Sequence, residues 1–210
     1  VEVTWRTGEA IARPVPDDER TQGAEAVVEL DGERARKHRL SKPYRHPELD
    51  EALRQRRTRS EARLTSEARR LGVPTPVVFD VDPQEGRLVF EYVGDSDLRE
   101  RLGESGVRDV GRHLARCHEA GFVHGDPTPR NVRVGDDTGD RSYLIDFGLG
   151  YYTDDIEDYA MDLHVFEGAI GGTAEDPTAL IAAFEDAYRE AGEGRVVEQL
   201  REIEGRGRYQ

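Results

Sequence analysis

Apolar and polar positions alternate in short runs early in the chain and switch to helical spacing later. GAEAVVEL (Gly23–Leu30) and ERARKHRL (Glu33–Leu40) read as two strands joined by Asp31-Gly32, a hairpin signal. PVVFDVD and RLVFEYV give two more, with PQEG as the turn between them. Between these pairs, Pro47 to Leu71 has no Gly or Pro after its first residue and is rich in Arg, Glu, Ala and Leu, so it predicts one long helix. Leu49, Leu53, Leu64 and Leu71 are its apolar stripe, and Gly72 and Pro74 stop it. Beyond Gly94 the pattern predicts helices over Ser96–Leu102, Val107–Ala120, Ile156–Ile170, Thr178–Ala191 and Val196–Glu204. NVRVG and SYLIDFG read as a short hairpin facing a cleft. The expected fold is α+β and bilobal: a small antiparallel sheet lobe with one helix, a crossing near Tyr92–Asp95, then a helical lobe.

Composition narrows this picture. No run approaches the ~20 apolar residues of a membrane span. Cys117 is the only cysteine, which excludes an internal disulfide and a cysteine zinc cluster and fits a reducing cytoplasm. The chain does not begin with Met and contains only Met161, so it reads as a piece of something longer. The net charge is −14, and of 30 basic residues 28 are Arg; only Lys37 and Lys42 are Lys. An acidic, Lys-poor chain points to a high-salt host, with GC-driven codon bias as the rival reading. From Glu33 to Arg70 there are 13 Lys/Arg against 6 Asp/Glu, so this +7 segment sits in a chain that is otherwise −21. Such a segment suits a polyanion, nucleotide or RNA; the plainer reading is a solvated basic helix.

Two stretches carry candidate chemistry. FVHGDPTPRNV places Asp126 five residues before Asn131, and YLIDFG delivers Asp146 at the end of an apolar strand. Asp126, Asn131 and Asp146 form an oxygen-donor set suited to Mg²⁺, which shares phosphate oxygens with its protein ligands. D-x4-N followed by D-F-G is the catalytic-loop order of protein kinases, with Asp126 as proton acceptor and Asn131 and Asp146 on the metal. That pattern asks for a Lys on the third strand of the small lobe and a Glu on the following helix. Lys37 fits the first, because a Lys retained among so many Arg marks a need for a compact charge; Lys42 reads as a surface residue. Glu61 fits the second, with Glu67 as its competitor and an i,i+4 pair with Arg57 as the plainer role. Asp162 corresponds to the helix Asp that binds the catalytic-loop backbone in kinases, or is an ordinary exposed helix residue. His124 reads as ordering the loop; the other histidines lack metal spacing and are given no ligand role.

The runs KHRLSKPYRHPELDEALRQRRTRSEARL, GVPTPVVFDVD, FVHGDPTPRNV, YLIDFGLG and EDYAMDLHVFEGAI resemble one family closely. It is the small atypical Ser/Thr kinase subunit of the KEOPS complex, the p53-related protein kinase family. The likeness spans about Gly23 to Arg208. VEVTW resembles the C-terminal end of the tRNA threonylcarbamoyl-transferase subunit, which some archaea fuse ahead of the kinase. This implies a division into residues 1–12 (tail of a preceding domain), 13–22 (linker), 23–93 (N-terminal lobe) and 94–210 (C-terminal lobe with a basic tail at Arg206 and Arg208). The resemblance implies an ATP- and Mg²⁺-dependent kinase that autophosphorylates and acts largely as an ATPase supporting threonylcarbamoyladenosine formation on tRNAs reading ANN codons. Its partners would be the fused transferase, other KEOPS subunits and tRNA, with no membrane. Lys37 would bind the phosphates, Glu61 would orient it, Asp126 would be catalytic, and Asn131 and Asp146 would hold Mg²⁺. Gly23 would stand in a shortened glycine loop, and backbone near Glu91–Val93 would meet the adenine.

The sequence also departs from relatives. It has no G-x-G-x-x-G and no A-P-E, and only about ten residues separate Asp146 from the helix near Ile156. That argues against broad phosphorylation of protein substrates. Pro127 and Pro129 replace the family's usual residues and either stiffen the loop or remove a hydrogen bond it uses. Aminoglycoside and choline kinases share HGD-x4-N but carry a longer helical lobe. RIO-type kinases lack the KHRLSKPYRHP segment. A non-catalytic kinase-like scaffold is the remaining alternative.

Overall fold

Asp31-Gly32 closes the expected hairpin, with Gly32 in the left-handed region at φ +58°. The strands it joins are β2 (Ala26–Asp31) and β3 (Arg34–Arg39) in a computed structural model that describes residues 20–23, 25–135 and 141–207. β4 (Val78–Asp82) and β5 (Arg87–Glu91) form the second hairpin. The antiparallel sheet is completed by β1 (Arg20–Gln22), giving the order β1-β2-β3-β5-β4. β1 takes the last three residues of the stretch expected to be linker, because Arg20, Thr21 and Gln22 pair with Glu29, Val28 and Val27. VEVTW and residues 13–19 lie outside the described residues.

The long helix α1 spans Pro47–Arg70, with Pro in its first turn, acidic residues at its start and Arg69 and Arg70 at its end, as the helix dipole favours. Its buried face differs from the expected leucine stripe. Leu49 and Leu71 are exposed, whereas Thr58, Glu61, Leu64, Thr65 and Ala68 are buried. Leu64, Ala68 and the following Val73 join the apolar core of the helical lobe, together with Leu114, Phe122, Phe147 and Phe166. The helix is therefore packed on the second lobe as well as on the sheet.

Past the crossing, the second lobe contains β6 (Ser96–Asp97), α2 (Glu104–Glu119), β7 (Phe122–Val123), β8 (Val132–Gly135), β9 (Arg141–Leu144) and β10 (Tyr151–Tyr152). Helices α3 (Ile156–Gly171), α4 (Thr178–Ala191) and α5 (Gly194–Gly207) follow. The helix expected over Ser96–Leu102 is replaced by β6 and a turn. Ser96 and Asp97 pair with Val134 and Arg133, and the Asp97 carboxylate accepts from the Glu100 amide at 3.2 Å. The side chain of Arg206, and Arg208 altogether, lie outside the described residues. Among the described residues no helix is long and apolar enough to cross a membrane.

Gly94 marks the crossing with φ +63°, and a Cβ there would stand 2.7 Å from the Val134 carbonyl oxygen. Gly135 approaches from the other side, where its Cβ would stand 2.7 Å from the Gly94 Cα. The connector thus lies flat on β8 only because both positions lack side chains. Gly94→Ala is expected to destabilise the fold by about 1–3 kcal/mol, read as a lower urea midpoint.

Candidate active site

Strand alternation puts Lys37 and Arg39 on the same face of β3, both buried. The Lys37 ammonium lies 2.8 Å from Glu61 Oε1 and 2.7 Å from Asp146 Oδ1. Arg39 pairs with the other oxygen of Glu61. Two cations and two carboxylates from β3, α1 and the end of the β9 run are thereby joined. Burial alone would lower the Lys37 pKa, but Glu61 and Asp146 outweigh it and raise it, so the ammonium stays charged. Burial would likewise raise Asp146; Lys37 overrides it by charge and hydrogen bond and holds the carboxyl at about 2. The competitors found other partners. Glu67 accepts from the Tyr152 hydroxyl, and Arg57 pairs with Glu25 rather than Glu61. The Lys42 backbone amide donates to Asp50.

Asp146 is the one non-glycine with positive φ among the described residues, at φ 63° and ψ 62°. β9 ends at Leu144, two residues before the expected strand reaches Asp146. The Asp146 carboxylate also accepts from the Gly148 amide at 3.3 Å, capping the short 3-10 turn Phe147–Leu149. Left-handed backbone is tolerated by Asp and is typically held where function requires it.

The catalytic-loop candidate is fixed from below by α3. Asp162, buried, accepts from the backbone amides of His124 at 2.7 Å and Gly125 at 2.8 Å. Its Oδ2 also lies 3.1 Å from His118 Nε2, and His118 Nδ1 lies 2.8 Å from the Tyr188 hydroxyl. The network assigns Nε2–H to His118, with Nδ1 accepting from Tyr188. His124 reaches across the loop: Nδ1 accepts from the Asp126 amide at 3.3 Å, so Nε2–H donates to the Ile145 carbonyl at 3.0 Å. One imidazole thus ties the Asp126 backbone to the strand end carrying Asp146. Asn131 Nδ2 donates to the Asp126 carbonyl at 2.9 Å and to Asp126 Oδ2 at 3.0 Å.

Pro129 has a physical account in this loop. Its turns are closed by the amides of Thr128, donating to the Asp126 carbonyl at 2.9 Å, and Asn131, donating to the Thr128 carbonyl at 2.8 Å. Pro129 opens the 3-10 turn Pro129–Asn131, where an amide would have no partner within the turn. Pro129 therefore stiffens the turn without removing a bond from within it.

The donor set suits Mg²⁺. Asn131 spends its amide hydrogens on Asp126, which leaves its carbonyl oxygen as the donor to a cation. Asp146 is ionised and 43% exposed toward the cleft. Among the described residues no group of three His, Cys, Asp or Glu forms a closed metal cage. One carboxylate and one amide oxygen would supply part of a shell, which magnesium ordinarily completes with water and phosphate oxygens.

Beside this cluster runs a cleft of about 400 Å³ lined by Val28, Leu30, Ala35, Phe90, Tyr92 and Ile145, with Lys37, Glu61 and Asp146 at its inner end. Glu91 and Val93 line it at the crossing. The Glu91 carboxylate accepts from the Val77 amide at 3.0 Å. Arg133 lies across the same rim, donating to the Val93 and Gly94 carbonyls at 3.4 and 3.1 Å. Gly23 sits in the β1–β2 turn, its amide bonded to the Ala26 carbonyl at 2.9 Å, and is not among the lining residues.

Lys37, Glu61 and Asp146 thus line one cleft, Asp126 and Asn131 are bonded to each other on the loop that His124 ties to the Asp146 strand end, and Asp162 and His124 hold that loop as the sequence suggested. Arg39 and His118 were missed. Arg39 was legible by period-2 spacing from Lys37; His118 is 44 residues from Asp162 and carried no local signal.

A five-stranded sheet over a helical lobe, with these groups between them, defines a protein-kinase-like phosphotransferase. The solved Rio2 kinase of Chaetomium thermophilum, in a complex with ADP, Mg²⁺ and phosphoaspartate, has the same fold (TM-score 0.57, 14% identity, covering 91% of this chain and 70% of that one). So does a choline/ethanolamine kinase family protein of Mesorhizobium loti (TM-score 0.57, 18% identity, covering 86% and 74%). The phosphotransferase enzyme family profile matches residues 112–202. The serine/threonine-protein kinase BUD32 homolog of Archaeoglobus fulgidus is 39% identical, with 89% of this chain and 94% of that protein covered, and the chain belongs to this kinase family. It is also 75% identical to the bifunctional tRNA threonylcarbamoyladenosine biosynthesis protein of Natronomonas pharaonis and 60% identical to that of Haloarcula marismortui. It spans 39% of the length of each.

Proposed function

We propose that the chain is the kinase part of a bifunctional protein that supports threonylcarbamoyladenosine formation on tRNA, and that it binds Mg-ATP and transfers or hydrolyses its terminal phosphate. The observation that carries this is the joining of Lys37, Glu61 and Asp146 within 3 Å contacts at the inner end of the cleft. The Natronomonas and Haloarcula relatives support the fusion and the tRNA context. The transferase, other KEOPS subunits and tRNA are the proposed partners, and the cytoplasm the proposed compartment.

In this reading Lys37 holds the phosphates and Glu61 orients Lys37. Asn131 and Asp146 hold magnesium, which when bound neutralises charge on the phosphate oxygens. Backbone at Glu91–Val93 meets the base. A water or Ser/Thr hydroxyl, placed at Asp126, attacks the terminal phosphorus; its oxygen–phosphorus bond forms, the bond to ADP breaks, and Asp126 takes the proton. The Tyr151–Tyr152 strand pairs with β7, so the chain's own segment runs beside the strand that leads into the loop. That favours hydrolysis or a partner-directed acceptor over general protein substrates.

The test is phosphate release from ATP with Mg²⁺ by the full-length protein, with and without tRNA. Asp146→Asn is expected to abolish release, and tRNA to stimulate it in the wild type. Equal rates in wild type and Asp146→Asn would sink the enzymatic reading.

A pH profile gives a second check. Burial raises the Asp126 pKa, and Asp146 and Asp162 add to this, against the lowering effects of His124 and the Asn131 hydrogen bond. Asp146 is already ionised above about 2. The base must be deprotonated, so activity rises with pH through the raised Asp126 value. The acid limb is expected above the ordinary aspartate value of about 3.9. A limb at or below it counts against Asp126 as base.

A further inference from the structure

We propose that Arg39 is a positioning residue for Lys37, acting through Glu61, and that it holds α1 in the arrangement that completes the cleft. This rests on the function proposed above.

Each oxygen of the Glu61 carboxylate has its own cation, Lys37 on Oε1 and Arg39 on Oε2. A carboxylate held by one partner can turn about its terminal torsion and leave that partner. One held on both oxygens from the same strand cannot turn without losing both. All three side chains are buried, with Lys37, Glu61 and Arg39 side chains 9%, 1% and 5% exposed. Water is therefore a poor substitute for either bond.

Two observations set Arg39 apart from a packing residue. Its Nε is buried with no hydrogen-bond partner, so the guanidinium is placed for what its outer nitrogens reach, not for its own satisfaction. Its Nη2 also occupies the space over Gly148, where any Cβ would collide with it. Gly148 follows Asp146 by two residues and caps its carboxylate. Arg39 thus lies between the helix that carries Glu61 and the turn that carries Asp146.

The same side of α1 is fastened further along that segment. Ser60 donates to the Gly150 carbonyl at 3.2 Å, and Arg63 lies 4.7 Å over the Tyr152 ring. Kinases commonly control the equivalent Lys–Glu pair by moving this helix, often through a phosphate on the activation loop. Here Arg39 supplies a fixed cation in that role. Thr153, the single Thr in the segment, already donates to Asp158 at 2.7 Å and accepts from the Asp155 amide at 3.0 Å.

The test uses the full-length protein with Arg39→Met, Arg39→Lys and Arg39→Ala. Arg39→Met is expected to lower kcat for phosphate release about 10- to 100-fold, with Mg-ADP affinity little changed. Arg39→Lys should recover part of the rate, and added guanidinium should restore Arg39→Ala. Wild-type kcat in Arg39→Met would overturn the proposal. So would a loss that tracks melting temperature and that neither guanidinium nor Arg39→Lys relieves. Acylation of Lys37 by a nucleotide acyl-phosphate probe reads its position whether or not the protein turns over. Slowed labelling in Arg39→Met supports the proposal, and unchanged labelling defeats it. A wild type that is labelled but releases no phosphate would instead defeat the function proposed above.

Discussion

Asp126→Asn is expected to slow phosphate release by about 10²–10⁴-fold while leaving nucleotide binding unaltered. The reason is the separation of tasks in the structure. Asp126 is absent from the residues that line the cleft, whereas Lys37, Glu61 and Asp146 line it. The loop itself should survive the change. Its backbone is held by Asp162 and His124, and Asn131 also bonds to the Asp126 carbonyl, which the variant keeps. An amide at this position can still accept from Asn131 but cannot take a proton at neutral pH. Single-turnover rates and an Mg-ADP titration on the same preparation separate the two effects. A variant that loses affinity as much as rate would place Asp126 in binding instead.

Asp162→Ala is the second large effect, and it is expected in stability and in rate together. The carboxylate serves the His124 and Gly125 amides and His118, all at 2.7–3.1 Å. Removing it leaves two loop amides and a buried imidazole without that acceptor. Each of these three buried donors left unmade costs about 1–3 kcal/mol, so the total loss is expected at about 3–9 kcal/mol. Gly125 cannot relax to ease this, because it sits at φ +84° with its Cβ position filled by the Leu149 carbonyl. Asp162→Asn retains an acceptor but turns an NH₂ toward donors, and should fall between the two. Urea midpoints measure the first effect and phosphate release the second. A stable Asp162→Ala with normal turnover would show that the loop is held by His124 alone.

Much of this was legible in local pattern. The hairpins were readable because Asp31-Gly32 and PQEG impose turns on alternating runs, and the helices because their stops are Gly and Pro. The site was readable because Asp126, Asn131 and Asp146 sit on neighbouring segments at fixed spacing. What failed depended on distant parts of the chain. The buried face of α1 carries Thr58, Glu61 and Thr65, polar residues whose burial makes sense only once Arg39 and the turn after Asp146 lie against it. β7 and β10 are two residues each and acquire strand character only from each other. Ser96–Leu102 had helical composition, but pairing with β8 overrode it. Arg39 was hidden by abundance, since one Arg among 28 announces nothing by type.

The burial of the Lys37–Glu61–Arg39 cluster has a consequence for a chain so rich in surface carboxylates. The related proteins of Haloarcula marismortui and Halobacterium salinarum fit the expectation of a high-salt host. At molar salt the screening length shrinks to about 3 Å, so dissolved ions largely mask charges at the surface. Exposed pairs such as Arg195 with Glu193 then contribute little. Ions cannot enter between three side chains that are each less than a tenth exposed. The field between Lys37, Glu61 and Arg39 is therefore set by their own charges, whatever the brine outside.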